Sequence, residues 1–179
     1  MNGKNHSETP IEELKRLLVE LRDPKTGCPW FRRQTHASLK PECVEEAAEV
    51  LCGVDVFEKT GQSDNLKEEL GDLLLQVVFH AQIAAEEGLF TFDDVARAAS
   101  EKLVRRHPYV FAGEKYDSYD ALVARYREIK RQEKAGKEWI ERDFLPRAFE
   151  EARALVDVAI DRKKRDRDAL DQTTPRNPE

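Results

Sequence analysis

The chain has 179 residues, 37% charged and 40% hydrophobic, with only eight glycines and eight prolines, a balance that suits a helix-rich domain better than a sheet protein. Its formal net charge of −6 gives no general attraction to a nucleic acid polymer, and no stretch reaches the roughly 20 apolar residues of a membrane span. The three cysteines, Cys28, Cys43 and Cys52, form no CxxC pair and read as reduced thiols of a cytoplasmic protein rather than a zinc or redox motif.

The opening MNGKNHSETP is polar, lacks the apolar stretch of a signal peptide, and is expected to be flexible over residues 1–9. Ile11, Leu14, Leu17, Leu18 and Leu21 then recur at helical spacing after Pro10 and predict an amphipathic helix over residues 10–22. Pro24, Gly27 and Pro29 put residues 23–40 in an irregular connection, long enough to suggest a role beyond joining helices. Pro41 suits the first turn of a second helix, whose apolar side runs through Val44, Ala47, Ala48, Leu51 and Val54 and whose exit is Gly61.

Ser63 is the expected cap of a third helix that stops at Gly88. Between Leu70 and Ala85 this helix is apolar on nearly every side, which predicts burial on every side and hence a contact with a second subunit. TFDD at 91–94 caps a fourth helix, which ends before Pro108. A fifth starts near Ser118 and ends before Gly136, and a sixth opens at Asp143 and Pro146 and continues to about Arg162. Residues 163–179, charged and proline-containing, are expected to be disordered. With no complete internal repeat and no alternating strand pattern, the fold class is all-α.

Acidic residues interrupt two of these apolar patterns. In VEEAAEV, Glu46 and Glu49 share a helix face and Glu45 lies over Glu49 one turn away; KEELGD repeats the three-residue step with Glu69 and Asp72. A short connection favours antiparallel packing of the two helices, which brings four carboxylates together. Like charges that close disfavour joint ionisation, and a divalent cation resolves the conflict. The donors are all oxygen, which favours Mg²⁺, or Mn²⁺ as a substitute, over zinc. The bland alternative is a set of solvated surface glutamates paired with lysines. Gly71, inside the second cluster, costs helix propensity and either lets a backbone or ligand come close or serves packing.

The ordered set of motifs resembles the MazG nucleoside triphosphate pyrophosphohydrolases, an all-α group. Glu45-Glu46-x-x-Glu49 followed by Glu69-x-x-Asp72 resembles the family's acidic signature. CPWFRRQTHASLKPECVEEAAEVL, ELGDLLLQVVFHAQIA, EEGLFTFDDV, KLVRRHPYVFA and ARYREIK resemble successive blocks of a MazG domain. The chain departs from the family at Phe31, where CPWD is usual, and it looks like a single-domain version: a MazG-like helical bundle over residues 10–136, completed by dimerisation, with a C-terminal helix over 137–162.

The resemblance implies hydrolysis of a nucleoside triphosphate to the monophosphate and pyrophosphate. It implies Glu46, Glu49, Glu69 and Asp72 as metal ligands, with Glu45 oriented toward the attacking water or a second ion. Lys102 and Arg106, four apart on one helix face, suit a clamp on phosphate oxygens, although a solvated helix end explains them as well. Tyr126 and Lys130 resemble the family's base-stacking aromatic and phosphate-binding lysine, and Trp30 either walls the base pocket or pins its loop. The competing readings are a selective dUTP or dCTP pyrophosphatase and a non-catalytic helical interaction or regulatory module. His107 and His80 receive no chemical role.

Overall fold

The computed structural model describes residues 8–173, and among them it is all-α, with no strand. The helices are α1 (Pro10–Arg22), α2 (Pro29–Arg33), α3 (Lys40–Thr60), α4 (Asp64–Glu86), α5 (Phe92–Arg106), α6 (Pro108–Phe111), α7 (Tyr119–Lys134), α8 (Glu138–Asp143) and α9 (Leu145–Thr173). The expectations for residues 1–7 and 174–179 lie outside the described residues.

Local chemistry sets most of the boundaries. Thr9 and Glu12 close a reciprocal capping box at the head of α1, and Thr91 and Asp94 close a second on α5. The Ser118 side chain caps α7. Gly61 ends α3 in the left-handed conformation, φ 74°, where a Cβ would strain the backbone. Ser63 departs from expectation: it precedes α4 with helical backbone angles and its side chain makes no capping bond. The 23–40 connection is more ordered than its prolines and glycine suggest. Asp23 Oδ1 accepts the backbone N–H of Lys25 and Thr26 at 2.8 and 2.7 Å, and the short helix α2 follows.

The core lies where α1 crosses α4. Leu18, Leu39, Val78, Phe79 and Ile83 are buried together, with Leu14, Phe31, Leu75 and Phe92 packed against them. Phe31 of α2 stacks on Phe79 with centroids 5.2 Å apart, so the long connection folds back as a lid on the core. Arg22 fixes it there by donating to the carbonyls of Phe31 and Gln34 at 2.6 and 3.2 Å and to both oxygens of Glu86.

The α3/α4 hairpin is the frame of the molecule. Its helices approach so closely near the turn that a Cβ on Gly53 would lie 2.9 Å from the Leu66 Cα. At the other end of the seam, His80 of α4 meets Cys43 of α3 at 3.3 Å and His36 at 2.7 Å. Burial of α4 on all sides is not reached within one chain: Leu70, Leu74 and Val77 remain 40–50% exposed. Among the described residues, none fully covers the outward face of the hairpin at these three positions. Helical order also continues past Arg162, through Thr173, where the charged composition points to disorder. α9 lies along α3, joined to it by Lys40 and Glu151 at 2.9 Å and by ion pairs farther along.

Candidate active site

The seam between α3 and α4 carries the acidic residues. Glu46 and Glu49 project from one face of α3, and Glu69 meets them from α4; each offers a carboxylate oxygen, and these oxygens all lie within 4.8 Å of one another. Antiparallel packing with a tight turn makes this possible, because it sets residues 46–49 opposite residues 69–72. Asp72 stands one turn beyond Glu69, outside the tight triangle but close enough for its charge to act on Glu46. Asn65 Nδ2 donates to Glu69 Oε1 at 2.8 Å and orients that carboxylate.

The electrostatics of the group are uneven. Burial, and then the charges of Glu49, Asp72, Glu45 and Glu69, push the Glu46 carboxyl above its ordinary range. Burial also raises Glu45, but hydrogen bonds from Arg162 and Lys163 outweigh it and hold Glu45 below that range. Both cations come from α9. Arg162 pairs with Glu45, while Lys163 bridges Glu45 Oε1 at 3.3 Å and Glu49. Sequence reading missed this contribution because it ended the helix at Arg162. The available signal was the Arg162-Lys163-Lys164 run, placed directly after an amphipathic helix that could carry it to an acidic partner.

The donor set fits a hard divalent ion. Three carboxylates converge, one has its ionisation opposed by the others, no sulfur or imidazole belongs to the triangle, and α9 supplies positive charge to its rim.

A second cluster lies between α5 and α7. Arg106 donates to Glu133 through Nε and Nη2 at 2.8 and 2.6 Å, and its guanidinium carbon lies 5.8 Å from the centre of the Tyr126 ring. Lys130 Nζ is also 5.8 Å from that ring centre, so Tyr126 is flanked by two cations. Arg106, Tyr126 and Lys130 are thus brought together, whereas Lys102 is exposed on α5 and takes no part in the contacts around Tyr126. Glu133, absent from the sequence-derived set, holds both Arg105 and Arg106. Trp30 is half-exposed, edge-on to Phe31 with centroids 5.0 Å apart, and forms a wall over the α2 lid. Among the described residues, no hydrogen bond or ion pair joins the Tyr126 cluster to the acidic triangle.

Fold and site together define an all-α domain whose central helical hairpin presents a carboxylate cluster suited to a divalent cation. Residues 34–111, which contain all the clustered acids, match the MazG nucleotide pyrophosphohydrolase domain. It is 51% identical over 127 residues to the nucleoside triphosphate pyrophosphohydrolase/pyrophosphatase MazG of Thermotoga maritima, an alignment covering 71% of this chain and 46% of that protein. It is 46% identical over 127 residues to the nucleoside triphosphate pyrophosphohydrolase of Escherichia coli K12, covering 71% and 47%. A Mycobacterium tuberculosis protein of the same name is 47% identical over 115 residues, covering 63% of this chain and 34% of that one. The chain therefore spans about half the length, or less, of these curated relatives.

Proposed function

We propose that this protein hydrolyses nucleoside triphosphates, canonical or aberrant, to the monophosphate and pyrophosphate. Water attacks the α-phosphorus, the bond from that phosphorus to the α–β bridging oxygen breaks, and pyrophosphate leaves. The observation that carries the reading is the convergence of Glu46, Glu49 and Glu69 within 4.8 Å across the α3/α4 seam. Together with Asp72 they would hold Mg²⁺ or Mn²⁺, which would neutralise charge on the triphosphate and acidify a bound water.

The chain's own groups do the rest. Glu45 takes the proton of the attacking water once Arg162 and Lys163 give way, because a carboxylate held below its ordinary range by two cations is a weak base. Tyr126 offers a face for the nucleobase, with Lys130 and Arg106 beside it for phosphate oxygens and Trp30 as a further wall. Lys102 lies one turn before Arg106 on α5 and extends the cationic side. A second copy of the chain covers the exposed Leu70, Leu74 and Val77, making the working unit at least a dimer. A monomer in light scattering at micromolar concentration would contradict that part.

Pyrophosphate release across a nucleotide panel, with and without Mg²⁺, tests the reading. Metal-dependent release that falls at least about 100-fold in Glu49→Gln is the expected result, a loss in the range typical of removing a key electrostatic group. Release confined to dUTP or dCTP identifies a selective pyrophosphatase. No metal-dependent release from any nucleotide leaves a binding or regulatory module.

A further inference from the structure

Glu133 shares one face of α7 with Tyr126 and Lys130, which precede it by seven and three residues. Its carboxylate divides between two arginines of α5. Oε1 accepts from Arg105 Nε at 2.7 Å, while Oε2 accepts from Arg106 Nε and Nη2 at 2.8 and 2.6 Å. The Arg106 hydrogen bonds, opposed by burial and aided by those of Arg105, hold the Glu133 carboxyl below its ordinary range, so it is charged at neutral pH.

The two arms of this carboxylate do different work. Arg105 is half exposed, and its bond to Oε1 is enough to tie α5 to α7. Arg106 and Glu133 are the sheltered pair, with side chains 19% and 14% exposed. Arg106 is the last residue of α5, so no further turn of helix flanks its side chain. Glu133 grips one edge of the guanidinium, which leaves Nη1 free of it, 3.5 Å from the Tyr126 hydroxyl oxygen. An arginine offers five N–H donors in a fixed plane, so holding one edge sets the direction of the rest.

Lys130 stands on the same ring, and among the described residues it has no carboxylate partner. Arg105, Arg106 and Lys130 would repel one another without the acid between them. We propose that Glu133 is a positioning residue: it holds the Nε/Nη2 edge of Arg106 so that Nη1 stays beside Tyr126, directed with Lys130 at the phosphate oxygens of a nucleotide on that ring. The inference rests on the proposed binding of nucleotide at the Tyr126 cluster and adds to it a residue that does not itself touch substrate.

Steady-state pyrophosphate release by the full chain, at saturating Mg²⁺ and with a nucleotide that the wild type hydrolyses, tests it. Glu133→Gln keeps the shape and loses the charge; KM is expected to rise at least about tenfold with kcat within about threefold, as for lost binding shared by ground and transition states. Arg105→Gln, which removes only the outer arm, should leave KM within about twofold of wild type. Added to Arg106→Gln, Glu133→Gln should raise KM less than about twofold further, because a residue acting through Arg106 has nothing left to position. Circular dichroism checks helicity. Should Glu133→Gln fail to fold, Glu133→Asp draws the charge back by one methylene and is expected to raise KM at least about threefold. An unchanged KM in the folded variant, a lowered KM, which would make Glu133 only a neutraliser of phosphate-binding cations, or full multiplication of the two effects in the double variant overturns the positioning role and leaves the proposed function standing. A wild type that releases pyrophosphate from no nucleotide overturns both.

Discussion

Lys163 of α9 is ion-paired with Glu49 of α3, one of the three carboxylates that converge in the acidic triangle. A metal ion and this ammonium compete for the same oxygen. The pair is open to solvent, with the lysine side chain 58% exposed, so it is a weak competitor: exposed pairs contribute about 0–1 kcal/mol. Lys163→Met is therefore expected to lower the Mg²⁺ concentration for half-maximal activity by up to about fivefold, with little change in the maximal rate. An increased KM for nucleotide at an unchanged metal requirement would put Lys163 on the substrate's phosphates instead.

Arg22 presents a contrasting ion pair. Its side chain is 8% exposed, it grips both oxygens of Glu86, and it satisfies two carbonyls of the α2 lid. Arg22→Leu strands all of them and is expected to cost about 2–3 kcal/mol of stability, measured by urea denaturation. Arg22 holds the Glu86 carboxyl below its ordinary range. That part of the stability is full above the unfolded-state value, about 4.3, and is lost as pH falls through the lower folded-state value. The gap between wild type and variant should therefore narrow in acid; a gap that widens would contradict the assignment.

The contrast between these two arginine- and lysine-bearing helices explains what was legible in the sequence. The caps at Thr91 and Ser118 and the turn at Gly61 depend on neighbours within a few residues, and they stand where the sequence puts them. The convergence of Glu46, Glu49 and Glu69 was legible because one short turn forces the two helices antiparallel. The α9 cations were not: Arg162 and Glu45 are 117 residues apart, and a charged run reads as solvated until packing finds it a partner. Glu133 was missed for the same reason, since its capture of Arg106 depends on how α7 docks on α5. Ser63 shows the opposite failure, a favoured capping residue in a backbone conformation that keeps its side chain from the bond.

Two glycines of the hairpin separate close packing from open space. At Gly53 an added Cβ meets backbone atoms of Leu66 at 2.9 and 3.2 Å, and Gly53→Ala must part α3 from α4. A loss of about 1–3 kcal/mol is expected, together with weaker divalent-ion binding as Glu49 and Glu69 separate. At Gly71, between Glu69 and Asp72, a Cβ meets nothing within 4 Å among the described residues, so the close approach considered for this glycine does not occur among them. Gly71→Ala should gain up to about 1 kcal/mol from helix propensity and keep its activity. Greater stability with lost activity would place a substrate or a second subunit against that position.

Glu46 supplies a test in which metal reverses the order of stabilities. Burial and the surrounding acids raise its carboxyl above the ordinary range, so the metal-free folded chain holds this proton more tightly than the unfolded chain does. The associated stability is full below the unfolded-state value of about 4.3 and is lost as pH rises through the folded-state value. At pH 7 without metal, Glu46→Gln should therefore melt above wild type, since the amide removes a charge that its neighbours oppose. Near about pH 4 the two melts should converge, because the wild-type carboxyl is then largely protonated in both states. Saturating Mg²⁺ should invert the order at pH 7, as binding to the native state stabilises wild type more than a variant lacking one ligand. A Glu46→Gln protein less stable than wild type at pH 7 without metal would show that the acids are already compensated by Arg162 and Lys163, and would remove the electrostatic argument for a cation at this seam.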